Sequence, residues 1–189
     1  GLAIPGDFSF EQRETDSGGE KVVTLAADDV QLPLGTLTSD LITFENGSGL
    51  FLLTSEGVAG EASGDVSLGV PSVGLTGAFD LVVNTTETMV DETVDLGSGS
   101  QAVSIPAGPY LQLNGSGVAL TLGALELTGD FSFEQRETTG GTQLVTVMAD
   151  NVSFDFGTDL VTATNGSGLF LFTDAGMAGQ GMIDLALSA

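Results

Sequence analysis

Two pairs of residues at matching places in the chain carry the carboxylate and amide oxygens best suited to hold a metal ion. Asp28 and Asp29 follow one alternating apolar run, and Asp150 and Asn151 follow another. Across each pair the apolar positions change from odd to even numbers, and a strand changes face only through an extra residue. We therefore predict a β-bulge at each pair. A simple bend explains both pairs, and the alternative is a calcium site, because calcium prefers carboxylate and amide oxygens.

A second motif places glutamates around arginines with the same spacing at two places. Its members are Glu11, Arg13 and Glu14, then Glu134, Arg136 and Glu137. Paired carboxylates are the machinery of a glycosidase, the hydrolytic chemistry that needs no His. Both copies keep the same letters, as a cross-strand ion pair would require, and the chain has no Trp and one Tyr for stacking on sugars. We predict an ion pair, and a carboxylate-dependent glycosidase is the third choice of function.

The composition excludes several kinds of site. The chain has no His and no Cys, so it builds neither a His-based nucleophilic site nor a zinc site of the usual ligands nor a disulfide. Its 26 acidic residues face 3 basic ones, a net charge of -23, which disfavours nucleic acid. Every apolar run is too short to span a membrane. We expect no catalytic activity and no cofactor.

The chain repeats itself. Segment 6–15, GDFSFEQRET, recurs letter for letter at 129–138, and NGSGLFLLT at 46–54 returns as NGSGLFLFT at 165–173. A fainter likeness joins LTGAFDL, which begins at Leu75, to the start of the second copy. Self-similarity of this kind predicts an array in which each unit buries its apolar side on its neighbours.

We divide the chain into a first half-repeat over 1–72, a shorter one over 73–124, and a truncated copy of the first over 125–189. Both ends fall inside a repeat, so we expect the terminal strands to present unpaired edges that match each other. Copies of the chain, or flanking repeats, would then join head to tail.

The fold class follows from period-two alternation, as in LELTGDFSFE at 125–134, and from turn signals. We predict hairpin turns at three Asn-Gly pairs and further turns at four Gly sites, namely Asn46, Asn114 and Asn165, then Gly18-Gly19, Glu56-Gly57, Gly140-Gly141 and Ala175-Gly176. Asn84 heads a glycosylation sequon, as the three Asn-Gly asparagines do. The run Leu50 to Leu53 predicts a strand enclosed on both faces. The protein is expected to be all-β, an antiparallel strand meander wound into an elongated β-solenoid-like repeat array, with tandem β-sandwiches as the alternative.

These strands, the NGSGL motifs and the acidic, Lys-poor composition resemble the tandem-repeat regions of very large secreted or surface-displayed bacterial proteins. The resemblance implies a structural module of an extracellular or cell-surface stalk, adhesin or filament. The alternative is a surface module that binds calcium or a polysaccharide, for which a groove bearing Tyr110 and clustered carboxylates would be the evidence.

Overall fold

The computed structural model describes residues 4–14, 21–36, 39–70, 73–95, 99–138, 140–156 and 161–187. Within these ranges the regular structure is entirely β, without a helix, as the alternation predicts. Its twelve strands are β1 (Asp7–Glu14), β2 (Lys21–Thr36), β3 (Ser39–Leu53), β4 (Val58–Val70), β5 (Val73–Asn84), β6 (Val90–Asp95), β7 (Ser100–Ile105), β8 (Tyr110–Leu122), β9 (Leu125–Glu137), β10 (Gln143–Phe156), β11 (Val161–Thr173) and β12 (Gly176–Leu187).

Ten of the strands form one antiparallel sheet in the order β1-β2-β3-β4-β5-β8-β9-β10-β11-β12. The predicted antiparallel meander is therefore confirmed. The short strands β6 and β7 leave the sheet and pair only with each other as a separate hairpin. The large sheet combines β1–β4 of the first segment, β5 and β8 of the second, and β9–β12 of the third, so the alternative of tandem sandwiches does not describe it.

The sheet has two unlike faces because alternate residues of a strand point to opposite sides. One face, the apolar face, carries Phe51, Leu81, Leu113, Phe133 and Phe170, which lie in neighbouring rows of the pairing register. The opposite face, the hairpin face, is polar over most of its extent. The hairpin β6–β7 packs on this second face above β2 to β5 and the start of β8.

The two predicted bulges are confirmed. The β2–β3 register shifts between Ala27 and Val30, and the β10–β11 register shifts between Ala149 and Val152. Asp29 and Asn151 take the extra position with φ of 50° and 53°. A bulge of this kind needs one residue in the left-handed region, which Asn and Asp tolerate better than most side chains.

The prediction of hairpin turns at the three Asn-Gly pairs is wrong. Asn46 lies inside β3, Asn114 inside β8 and Asn165 inside β11. Asn46 and Asn165 have φ of 53° and 57°, and the β8 bulge uses Gly117 at 57° instead. One residue of positive φ makes a bulge, whereas the two-residue hairpin turn of type I′ needs two in succession.

Three of the Gly-containing turns are confirmed, because β3 and β4 join through Glu56 and Gly57, β9 and β10 through Gly140 and Gly141, and β11 and β12 through Asp174 and Ala175. The fourth, Gly18-Gly19, lies outside the described residues. The strand containing Leu50 is enclosed on one face only. Leu50 and Leu52 are buried beneath the hairpin, whereas Leu53, on the apolar face, is 37% exposed, so the prediction of enclosure on both faces is wrong.

Candidate functional site

The hairpin β6–β7 covers the buried apolar cluster of the described residues. Its pairing register puts Val90, Glu92, Val94 and their partners in β7 on the side that faces the sheet. Val94, Val103 and Ile105 are buried there against Val22, Leu50, Leu52, Ala59 and Tyr110. The alternate residues of β6 and β7, which point away from the sheet, are exposed. The hairpin therefore acts as a small second layer over the first copy of the repeat.

Two polar contacts fix the hairpin on the sheet. Arg13 of β1 forms an ion pair with Glu92 of β6. Gln101 Nε2 of β7 donates to Glu61 Oε1 of β4 at 2.7 Å. The predicted ion pair forms in the second motif, where Arg136 pairs with Glu134 at 3.1 Å, but it lies within one strand and not across strands. In the first motif Arg13 pairs with Glu92 of the hairpin instead.

Asn84 joins the two chain segments that enter and leave the hairpin. Its side chain is fully buried, and Nδ2 donates to the carbonyls of Thr88 and Pro106 at 2.9 and 2.8 Å. Its Oδ1 accepts from the backbone and hydroxyl of Thr86. All of its hydrogen-bonding capacity is used inside the protein, so the Asn84 sequon is closed to a glycan in the folded chain.

A groove of about 720 Å³ lies on the sheet beside the hairpin in the first copy. Its charged lining consists of Asp7, Asp28, Glu61 and Asp80, and Gln101 of the hairpin also lines it. The same place in the second copy holds a groove of about 310 Å³. There Gln180 replaces Glu61, so one of the carboxylates of the first groove is lost.

The bulges are held by a repeated hydrogen bond between strands. Each bulge asparagine donates through Nδ2 to an aspartate of a neighbouring strand: Asn46 to Asp65 at 2.7 Å, Asn151 to Asp130 at 2.8 Å, and Asn165 to Asp184 at 3.0 Å. Sequence reasoning missed these aspartates, although each lies nineteen to twenty-one positions from its asparagine.

Asp130 holds two bulges at once. Besides accepting from Asn151, its carboxylate accepts from the backbone N–H of Gly117 at 2.8 Å. These two hydrogen bonds, the Asn151 side chain first, lower the pKa of Asp130 because they favour the ionised form. The described contacts of this carboxylate are those of a structural clamp between β8, β9 and β10.

The four calcium candidates lie at two separate places. Asp28 and Asp29 are adjacent at the β2 bulge, where Asp28 Oδ1 accepts from the Asp29 N–H at 3.0 Å. Asp150 and Asn151 lie at the β10 bulge, with five strands between the two places. Among the described residues, no three acidic side chains come together as a metal-binding group. Calcium binding at these positions stays a prediction.

Tyr110 does not line the groove. It is buried under the hairpin, and its hydroxyl donates to Gln112 Oε1 at 3.1 Å. Burial, followed by the nearby Glu134 carboxylate, raises its pKa. The groove bearing Tyr110 and clustered carboxylates, which would be evidence for a module that binds calcium or a polysaccharide, is therefore not formed by the described residues.

These features define a single-layer antiparallel meander with an added hairpin. No protein-family model matches the chain, and neither a curated protein nor a solved structure matches it. None of the described residues forms a helix long and apolar enough to cross a membrane.

Proposed function

We propose that this chain is a structural repeat module without catalytic activity, part of an extracellular stalk, adhesin or filament that grows by pairing sheet edges. The observation that carries the proposal is that the second copy of the repeat continues the sheet of the first without a break. Winding of such a sheet into an elongated, solenoid-like array belongs to the same proposal.

The two outer strands match a pair of inner strands that already bind each other. Strand β12 begins with the sequence GMAG at 176–179, which corresponds to GVAG at 57–60, where β4 begins. Strand β1 has the letters of β9, and β9 resembles β5. Because β4 pairs with β5 along its full length without a register shift, β12 of one molecule has a template for pairing with β1 of the next.

The β4–β5 register transfers directly to this joint. In β4 and β5, Ala62 lies opposite Leu81, Ser63 opposite Asp80, and Gly64 opposite Phe79. The corresponding pairs at the joint are Gly181 with Phe10, Met182 with Ser9, and Ile183 with Phe8. A Phe beside a Gly is the pattern of the inner strands. The ring of Phe51 lies over Gly60 and that of Phe170 over Gly179, where a Cβ would collide with the ring.

Both outer strands are accessible for this pairing. Every residue of β12 and most of β1 are exposed, and Phe10 is among the most exposed apolar residues of the chain. An open strand edge presents rows of N–H and C=O groups that bind another strand. The acidic surface keeps such a module soluble, and the salt of an extracellular medium screens its self-repulsion.

Electron microscopy with light scattering tests the proposal. The unsubstituted 189-residue chain is expected to form fibres, whereas Ser9→Lys combined with Met182→Lys places two cations opposite each other at the joint and prevents growth. Ser67→Lys combined with Ser116→Lys adds the same charge to exposed inner positions and leaves growth intact. An unsubstituted chain that stays a single 19.1 kDa particle, or edge variants that still form fibres, would contradict the proposal.

A further inference from the structure

The apolar face runs across all ten strands of the large sheet and has no second layer in the described part of the chain. The described strand residues on the apolar face are apolar or Gly. The exceptions are bulge residues and residues within two positions of a strand end. The hairpin covers only the opposite face. A sheet of this kind normally packs its apolar face on another layer.

The surface area of the whole molecule is larger than that of a compact protein of the same mass. The chain exposes 11615 Å², whereas a compact monomer of 19.1 kDa exposes about 8,400 Å² by the usual size relation. The surplus of about 3,000 Å² is larger than the ~800 Å² per partner that a standard interface buries. One chain therefore offers enough area for a permanent partner.

The charges indicate what kind of partner fits. Glu61, Asp65, Asp80, Asp130 and Asp184 all alternate onto the hairpin face, together with most carboxylates of the strand interiors. A partner seated on the apolar face therefore meets no charge in its centre. Two copies placed with their apolar faces together keep their carboxylates on the two outer surfaces, in water.

The surface of the apolar face is also suited to a copy of itself. Its rings cover the glycines of neighbouring strands, as Phe44 covers Gly64 and Phe79 lies beside Gly115, so the surface is apolar between the large side chains as well. Two sheets pack face to face at a spacing of about 10 Å. A second copy related by a two-fold axis presents the same apolar surface to the first.

We propose that the apolar face packs on the apolar face of a second copy, which gives a two-layer sandwich with hairpins on both outer surfaces. This contact uses side chains of the apolar face, whereas the edge joint uses the backbone N–H and C=O groups of β1 and β12, so both contacts can form at once and the protomer of any fibre is a face-to-face dimer. The inference stands whether or not the edges pair.

Strand β11 offers a matched pair of variants for the test. Phe170 and Phe172 are 38% exposed on the apolar face, whereas Leu169 and Leu171 are 36% and 38% exposed on the hairpin face. Both double replacements by Asp add the same charge to the same strand. They are made in the Ser9→Lys/Met182→Lys chain, whose substitutions lie on the hairpin face, so that fibre growth does not obscure the mass.

Sedimentation equilibrium is expected to give twice the chain mass for the edge-blocked protein and for its Leu169→Asp/Leu171→Asp form. The Phe170→Asp/Phe172→Asp form is expected to have the mass of one chain, with an unchanged far-ultraviolet circular dichroism spectrum. If that form loses its β spectrum, Met177→Asp, at the exposed edge of the same face, replaces it with the same expectation.

Three outcomes would overturn the inference: a monomeric edge-blocked protein, equal loss of dimer in both β11 variants, or a dimer that persists in the apolar-face variant. Flotation with neutral phosphatidylcholine vesicles addresses the other occupant. A monomer that binds these vesicles through Phe170 and Phe172 would assign the face to lipid instead of a second copy.

Discussion

Leu50 and Leu169 occupy the same place in the two copies of the repeat, yet Leu50 is 2% exposed and Leu169 is 36% exposed. Leu52 and Leu171 differ in the same way. The backbone does not explain this, because both leucines lie in strands with the same bulge and the same pairing register. The difference comes from the hairpin β6–β7, which lies over the first copy.

Polar residues respond to the hairpin as the leucines do. Arg13 reaches Glu92 of the hairpin, whereas Arg136, with no hairpin above it, pairs with Glu134 two residues away. Glu61 accepts from Gln101 of the hairpin, and the corresponding residue of β12 is Gln180. Identical residues in the two copies therefore make different contacts, because the hairpin β6–β7 lies over the first copy only.

The largest expected effect separates the two leucines. Leu50→Ala leaves a cavity under the hairpin and should lower the free energy of unfolding by about 2–5 kcal/mol, the usual cost for a buried Leu. Leu169→Ala removes an accessible side chain and should cost about 1 kcal/mol or less. Urea denaturation of the two variants in the edge-blocked background measures both values. Equal costs would mean that the hairpin does not distinguish the copies.

A smaller effect concerns the bulges, where Asp29 stands in the place of Asn151. Asp29 has no amide to donate to Asp7, the counterpart of Asp130. We expect Asp29→Asn to supply this hydrogen bond and to raise the melting temperature by about 1–2 °C, since one exposed hydrogen bond contributes little. Asn151→Ala should lower the melting temperature by a larger amount, because it removes the hydrogen bond and also places Ala in the left-handed region. A decrease on Asp29→Asn would show that the two bulges are held differently.

The same bulge predicts a dependence on pH. Because its pKa is lowered in the folded chain, Asp130 stabilises the fold above the ordinary Asp pKa of about 3.9, and this contribution is lost as pH falls through the lowered value. Asp130→Asn is expected to flatten that part of the stability profile, measured by urea denaturation between about pH 2 and 5. An unchanged slope would contradict the role of Asp130 as a clamp.

Much of the fold was predictable because period two and a change of parity are local properties of a strand. Val23 and Val30 alone require a bulge between them, and the Asp28–Asp29 pair marks where it falls. The hairpin was not predictable as a separate layer, since β6 and β7 alternate like any strand pair in the sheet. The Asn-Gly pairs misled for a related reason: one left-handed residue serves a bulge as well as a turn, and only the pairing of Asn46 with Asp65 across strands distinguishes them.

The candidate site was less accessible to sequence reasoning. The position of Asp28 in a groove with Glu61 and Asp80 depends on how β2, β4 and β5 stack side by side, which no motif encodes. Arg13 and Glu92 lie far apart in sequence and meet only because the hairpin folds back.

Disulfide trapping tests the edge-to-edge account most directly, and the absence of native Cys makes the result unambiguous. The proposed register places Ser9 opposite Met182 of the next molecule, at the ~4.5–5.5 Å Cα separation of opposed antiparallel residues, which a disulfide spans. Oxidation of the Ser9→Cys/Met182→Cys chain should therefore give a ladder of linked chains. The Ser9→Cys/Gln180→Cys control, whose sites are diagonal at about 7–8 Å, should give almost none. No ladder from the first variant, or equal ladders from both, would contradict the account.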